Sequence, residues 1–131
     1  MPVLQFRVAI TTEDFEQLTS FYRDGLGLDP GDLWEANGGR GQMFAAGGGT
    51  LEVFDTAYAT HIDNLEVGSR VSGQLRFAFE VPDVHAAVEN ALNFGATLVQ
   101  SPKMMPWGDY NARVQAPDGL QVTLFQVMGE G

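Results

Sequence analysis

The chain has 131 residues, 44% of them hydrophobic, which is enough for one packed core and well outside the disordered range. Its 17 acidic and 7 basic side chains give a formal charge of −10, which excludes the basic face a duplex binder needs and disfavours anionic lipid. With no cysteine there is no disulfide, no thiolate nucleophile and no cysteine metal site.

The first strand is "FRVAI", in which Phe6, Val8 and Ile10 alternate with Arg7 and Ala9. The segment before it has no basic leader, so it reads as a strand and not as a signal peptide. No stretch approaches the roughly 18 apolar residues of a membrane span, and a cytoplasmic location is expected. "TTEDFEQLTSFYRDGLGL" predicts a helix capped by Thr11 or Thr12. Phe15, Leu18, Tyr22 and Leu26 form its buried stripe, and Gly25 and Gly27 form its stop. Extended pieces follow around "DLWEA", "GQMFAA" and "GTLEVFD", separated by glycines and Asn37. Residues 56–72 show neither a helical nor a strand period and read as a connection.

The pattern then restarts. In "LRFAFEV", Leu75, Phe77, Phe79 and Val81 oppose Arg76, Ala78 and Glu80. "PDVHAAVENALNFGA" predicts a helix burying Val84, Ala87, Val88, Ala91 and Leu92. Strands follow at "TLVQ", "YNARVQ" and "LQVTLFQV", the last two joined by the turn sequence "APDG". Each half therefore runs strand, helix, strand, strand, strand. Arg7, Ala9 and Asp14 match Arg76, Ala78 and Asp83 at a constant offset, which is the mark of an internal duplication. The glycine stretches "GGRG" and "AAGGGT" lack a phosphate-loop lysine and a following helix, and no serine sits in a nucleophile elbow.

With "FYRDGLGL", "AFEVPDV" and "PDGLQVTLFQ", this repeated unit resembles the vicinal oxygen chelate superfamily of glyoxalases, bleomycin-resistance proteins and extradiol dioxygenases. The resemblance implies an α+β fold over residues 1–131. Two tandem βαβββ modules, about 1–55 and 73–127, would form a curved mixed sheet, a cup with helices on its outer face. It also implies a homodimer. In the metalloenzymes of the family each module supplies two ligands to a divalent cation. Carried over, the four positions fall on Arg7, Glu52, Arg76 and Thr123.

Only Glu52 offers what such an ion requires. Guanidinium has no acceptor lone pair and stays charged. At about 4 Å and an effective dielectric near 20, each unit of positive charge repels another by about 4 kcal/mol. No metal and no other cofactor is expected in this cup. Arg7 should pair with Glu52, and Arg76 with Glu80 or with Glu52. Either these charges merely replace a metal in holding the strands, or an arginine is left free to grip a ligand. Trp34, Met43, Phe54, Trp107, Tyr110 and Phe125 are the candidates for the rim, suited to a flat or greasy small molecule. His85 is expected to be a solvated helix residue. Two functions follow from this pattern. One is a metal-free binder of a hydrophobic or aromatic ligand, closest to the bleomycin-resistance branch. The other is a glyoxalase- or dioxygenase-like enzyme using a divalent metal or an acid–base carboxylate, with Glu52, Glu80 and His61 as its candidate catalytic residues.

Overall fold

The computed structural model describes residues 2–128. Eight strands form one open mixed sheet: β1 (Gln5–Thr12), β2 (Asp29–Ala36), β3 (Gly39–Ala46), β4 (Gly49–Asp55), β5 (Leu75–Glu80), β6 (Thr97–Met104), β7 (Asp109–Gln115) and β8 (Gln121–Val127). The helices are α1 (Phe15–Ser20), α2 (Thr56–Val67) and α3 (Val84–Asn93). The strand order is β2-β3-β4-β1-β5-β8-β7-β6, so each half contributes four strands and the opening strands meet in the middle. β1 and β5 pair antiparallel, while β4 and β8 flank them in parallel. This is the α+β fold expected from the sequence.

Alternation along the strands sorts the two faces. The convex face carries the apolar set. Phe44 and Val53 pack under Phe15, with Leu18 and Tyr22 beside them. Val122, Leu124, Ala112 and Val114 pack under Val84 and Val88. The first helix is shorter than its sequence period implies, because a single π-type turn over Phe21–Gly25 replaces its last turns and leaves Leu26 exposed. Its cap is Asp14 and neither threonine: the Asp14 carboxylate accepts from Gln17 N at 3.0 Å, and Thr12 Oγ1 in turn accepts from Asp14 N at 3.1 Å. Gly27, with φ +75°, supplies the left-handed stop, whereas Gly25 stays helical. Asp83 caps α3, accepting from Ala86 N at 3.1 Å. Leu92, on the outer side of α3, is partly exposed.

The segment expected to be a connection is in large part a helix. Moreover, α2 lies on the concave face, inside the cup, while α1 and α3 lie outside. Asp55 caps it, accepting from Tyr58 N at 2.8 Å, and Gly68 ends it at φ +85°. Its buried face mixes Tyr58, Ala59 and Ile62 with Asp63 and Glu66. Two carboxylates on the inward stripe erase the apolar period that would have announced a helix. The helix comes close to the sheet because β3 presents glycine there: a Cβ on Gly39 would lie 2.8 Å from the Ala57 carbonyl carbon and closer still to Tyr58 N. No helix among the described residues is long and apolar enough to cross a membrane.

Candidate functional site

The central strands place four side chains in two rows across the cup floor. In one row, Glu52 on β4 lies beside Ala9 on β1, which pairs with Arg76 on β5. In the other, Arg7 on β1 pairs with Ala78 on β5, beside Thr123 on β8. Two alanines in the middle leave room above the floor. α2 closes one side, and a cavity of about 290 Å³ remains, lined by all four side chains. Trp34, Phe54, Tyr58, Trp107 and Phe125 give it aromatic walls, and Trp107 stands at the mouth, 47% exposed. Phe54 and Tyr58 meet edge to face with centroids 5.0 Å apart.

The charges are arranged differently from the sequence expectation. Arg7 does reach Glu52, but loosely, with Nη1 3.8 Å from Oε2. Its firmer bonds go to Gln5, whose Oε1 accepts from Nη2 at 3.0 Å and Nε at 3.2 Å. The Arg7 guanidinium also lies 4.8 Å from the Phe125 ring centre. Arg76 pairs with neither Glu80 nor Glu52 at ion-pair distance. It is only 7% exposed, and Nη1 donates to Thr123 Oγ1 at 3.0 Å. Glu80 does not line the cavity, because it lies near the end of β5, opposite Gln5.

Glu52 is 5% exposed and lines the cavity. Burial raises its carboxyl above the usual range. Arg76 and Arg7 oppose that rise and Glu66 adds to it, and the net direction is upward. At these separations the arginine charges do not offset desolvation.

Behind Thr123 lies a buried ionic knot that sequence reasoning missed. Arg113 on β7 is 0% exposed and bonds both acids of α2: Nη2 donates to Glu66 Oε1 at 2.9 Å and to Asp63 Oδ1 at 3.1 Å. Thr123 Oγ1 donates to Glu66 Oε1 at 2.8 Å while accepting from Arg76 Nη1 and from Arg113 Nε at 3.2 Å. One hydroxyl thus ties β5, β7, β8 and α2 together. Asp63 also receives Ser72 N, Ser72 Oγ, Val71 N and Arg70 Nη1. Burial alone would raise its pKa, but the Ser72 bonds, the Arg113 charge and Val71 N–H outweigh it and hold the carboxyl below its ordinary value.

Several sequence candidates stand elsewhere. Met43 leaves the cavity because its thioether packs on β2 at Gly31, where a Cβ would lie 2.5 Å from Met43 Cε. Tyr110 turns to the convex side, packs against the α3 cluster and bonds His85 Nε2 through its hydroxyl at 3.0 Å, so His85 is not simply solvated. His61 is held at the β2–β3 turn by Asn37, Nδ2 to Nδ1 2.8 Å, and does not line the cavity. Tyr58, Ile62 and Glu66 of α2, with Ala78, Asp109 and Asn111, were not anticipated as lining. For Asn111 a signal was available. "YNARV" alternates as "FRVAI" does, placing Asn111 and Arg113 on the cup face.

The chain belongs to the Glyoxalase/Bleomycin resistance protein/Dioxygenase superfamily, whose family profile matches residues 5–124. Solved structures agree with this. The hypothetical protein BH1468 from Bacillus halodurans C-125 superposes with a TM-score of 0.68 at 12% identity, over 95% of this chain and 94% of that one. Methylmalonyl-CoA epimerase from Mycobacterium tuberculosis gives 0.67 at 16% identity, over 97% and 90%. A superfamily member from Vibrio splendidus 12B01 gives 0.63 at 16%, over 93% and 97%. At such identities the likeness establishes the fold alone. No curated protein matches the chain.

The divalent ion that the family implies does not fit these residues. The four equivalent positions offer one carboxylate, one hydroxyl already committed to three bonds, and two guanidiniums with no lone pair to give. Among the described residues no three His, Cys, Asp or Glu side chains are grouped as metal ligands would be.

Proposed function

We propose that the protein is a metal-free small-molecule binder, of the bleomycin-resistance-like branch, that holds a hydrophobic or aromatic ligand in the cup. The observation that carries this reading is the cavity itself: about 290 Å³, walled by five aromatic rings, with two arginines where metal ligands would stand. Such a volume suits a one- or two-ring compound. The flat ring faces supply apolar contact, and the guanidiniums supply orientation. The unpaired edges of β2 and β6 support the homodimer expected from the sequence, since an open edge favours a second copy. Titration with naphthalene, followed through Trp34 and Trp107 fluorescence, tests the reading. Saturable binding unchanged by EDTA is expected. No binding, or binding that needs an added metal ion, overturns it.

Glu52 supports a second reading, an acid–base enzyme. It is a buried carboxylate with a raised pKa facing the same cavity as Arg76, which is the environment of a proton-transfer group. An epimerase also stands among the proteins of like fold. On this reading Glu52→Gln abolishes turnover of a carbonyl substrate and leaves its binding intact. On the first, no turnover exists to lose.

A further inference from the structure

Two polar groups in the cavity wall have bonding capacity that the protein leaves unused. Arg76, more than nine-tenths buried, lines the cavity and spends one N–H on Thr123. A guanidinium carries five N–H donors, so it turns unused donors toward the space above the floor. Asn111 lines the same cavity and is itself buried, and its Oδ1 is the one buried side-chain polar atom among the described residues with no hydrogen-bond partner. A buried acceptor left bare costs stability. Oδ1 has almost no surface open to the cavity as it stands, and a turn of the Asn111 amide, whose side chain makes no hydrogen bond among the described residues, brings it to an occupant's donor.

The sheet register sets how far Asn111 stands from the residue that anchors Arg76. Arg76 reaches over β8 to Thr123. On the β7–β8 pair Thr123 lies opposite Arg113, and Asn111 lies opposite Phe125. Asn111 is therefore one diagonal step from the residue that holds the guanidinium, about 7–8 Å along the sheet. Two hydrogen bonds and the width of one amide group cover about that distance.

The charge balance decides between neutral and anionic occupants. In and just behind the wall, Arg7, Arg70, Arg76 and Arg113 face Glu52, Asp63, Glu66 and Asp109. The acids match the bases in number, so an entering carboxylate or phosphate finds no uncompensated positive charge and must lie near Glu52. A neutral group that both accepts and donates meets no such penalty.

We propose that the cavity selects a neutral aromatic carboxamide or lactam, its carbonyl oxygen accepting from Arg76 and its N–H donating to Asn111 Oδ1. This rests on the metal-free binding reading and narrows it to a ligand class. Its test is calorimetric titration of the full chain at pH 7 with 2-naphthamide, 2-acetylnaphthalene and 2-naphthoate, beside naphthalene. The amide should bind at least about tenfold tighter than the ketone, which lacks the donor, and naphthoate should bind more weakly than the amide. Asn111→Leu should erase the amide's advantage without loss of the fold, since the amide oxygen it removes has no partner in the protein. Asn111→Ala serves the same purpose if leucine proves too bulky. Equal affinity for amide and ketone, an advantage that survives both Asn111 variants, or naphthoate as the tightest ligand overturns the proposal. If naphthalene binds and the amide gains nothing, the ligand class falls and the binding reading stands. If none of the four binds, both fall.

Discussion

Arg7 and Arg76 face each other diagonally across the central antiparallel pair: Arg7 pairs with Ala78 and Arg76 pairs with Ala9. The arrangement is its own mirror under exchange of the two halves, as duplication of one strand–helix–strand–strand–strand unit requires. Each arginine occupies the first-strand position of its module, and each sits beside the other module's alanine. The two charges differ in what surrounds them. Arg7 leans toward solvent on Gln5 and Phe125, whereas Arg76 is sealed in by α2 and held by Thr123.

The alanines between them keep the cup open. Ala78→Leu puts a branched side chain into the space between Arg7 and Thr123. It should abolish naphthalene binding while the far-ultraviolet circular dichroism stays that of the parent. Unchanged affinity would mean that the ligand sits elsewhere.

Among the described residues Arg113 is the only cation bonded to Glu66 and one of two bonded to Asp63. Arg113→Met leaves two carboxylates buried beside an apolar chain, and breaking a buried pair from one side typically costs about 3–5 kcal/mol. Urea denaturation should show a loss of that order. A change near zero would mean that α2 can leave the cup at no cost.

Glu52 and Asp63 oppose each other in pH dependence. The Asp63 carboxyl is depressed on folding, so its contribution is fully present above its unfolded value of 3.8 and is lost as pH falls through its folded value. Glu52 is raised, so its ionised form costs stability above its folded pKa, and the cost disappears below its unfolded value of 4.5. Glu52→Gln should therefore raise Tm at pH 7, with the gain shrinking as pH falls toward 4.5. A lower Tm at pH 7 would show that the Arg7 and Arg76 charges outweigh burial.

Gly39→Ala drives a methyl group into the backbone at Ala57 and Tyr58. The start of α2 must move away from β3, taking the Tyr58 ring out of the cavity wall. Reduced Tm together with weaker probe binding is expected, and full retention of both would contradict the close approach of helix to strand.

The sheet was legible because strand alternation survives in sequence: "FRVAI", "LRFAFEV" and "QVTLFQ" sort their faces without help. The four floor positions came from the family resemblance, and the alternation put them on one face. α2 was not legible, since Asp63 and Glu66 stand where an amphipathic helix would show leucine. Their partner Arg113 is some fifty residues away, and only the folded sheet brings the charges together. Met43 and Tyr110 were misplaced for a related reason. Proximity to a strand says nothing of which face a side chain takes, and the α3 packing fixes Tyr110 on the convex one.

Cationic side chains stand where a Lewis acid would need donors, and metal analysis reads this directly. Protein purified without chelator, then incubated with excess nickel, zinc or iron(II) and desalted, should carry substoichiometric metal by plasma mass spectrometry, with Glu52→Ala indistinguishable from the parent. One equivalent of metal that disappears in Glu52→Ala would contradict it.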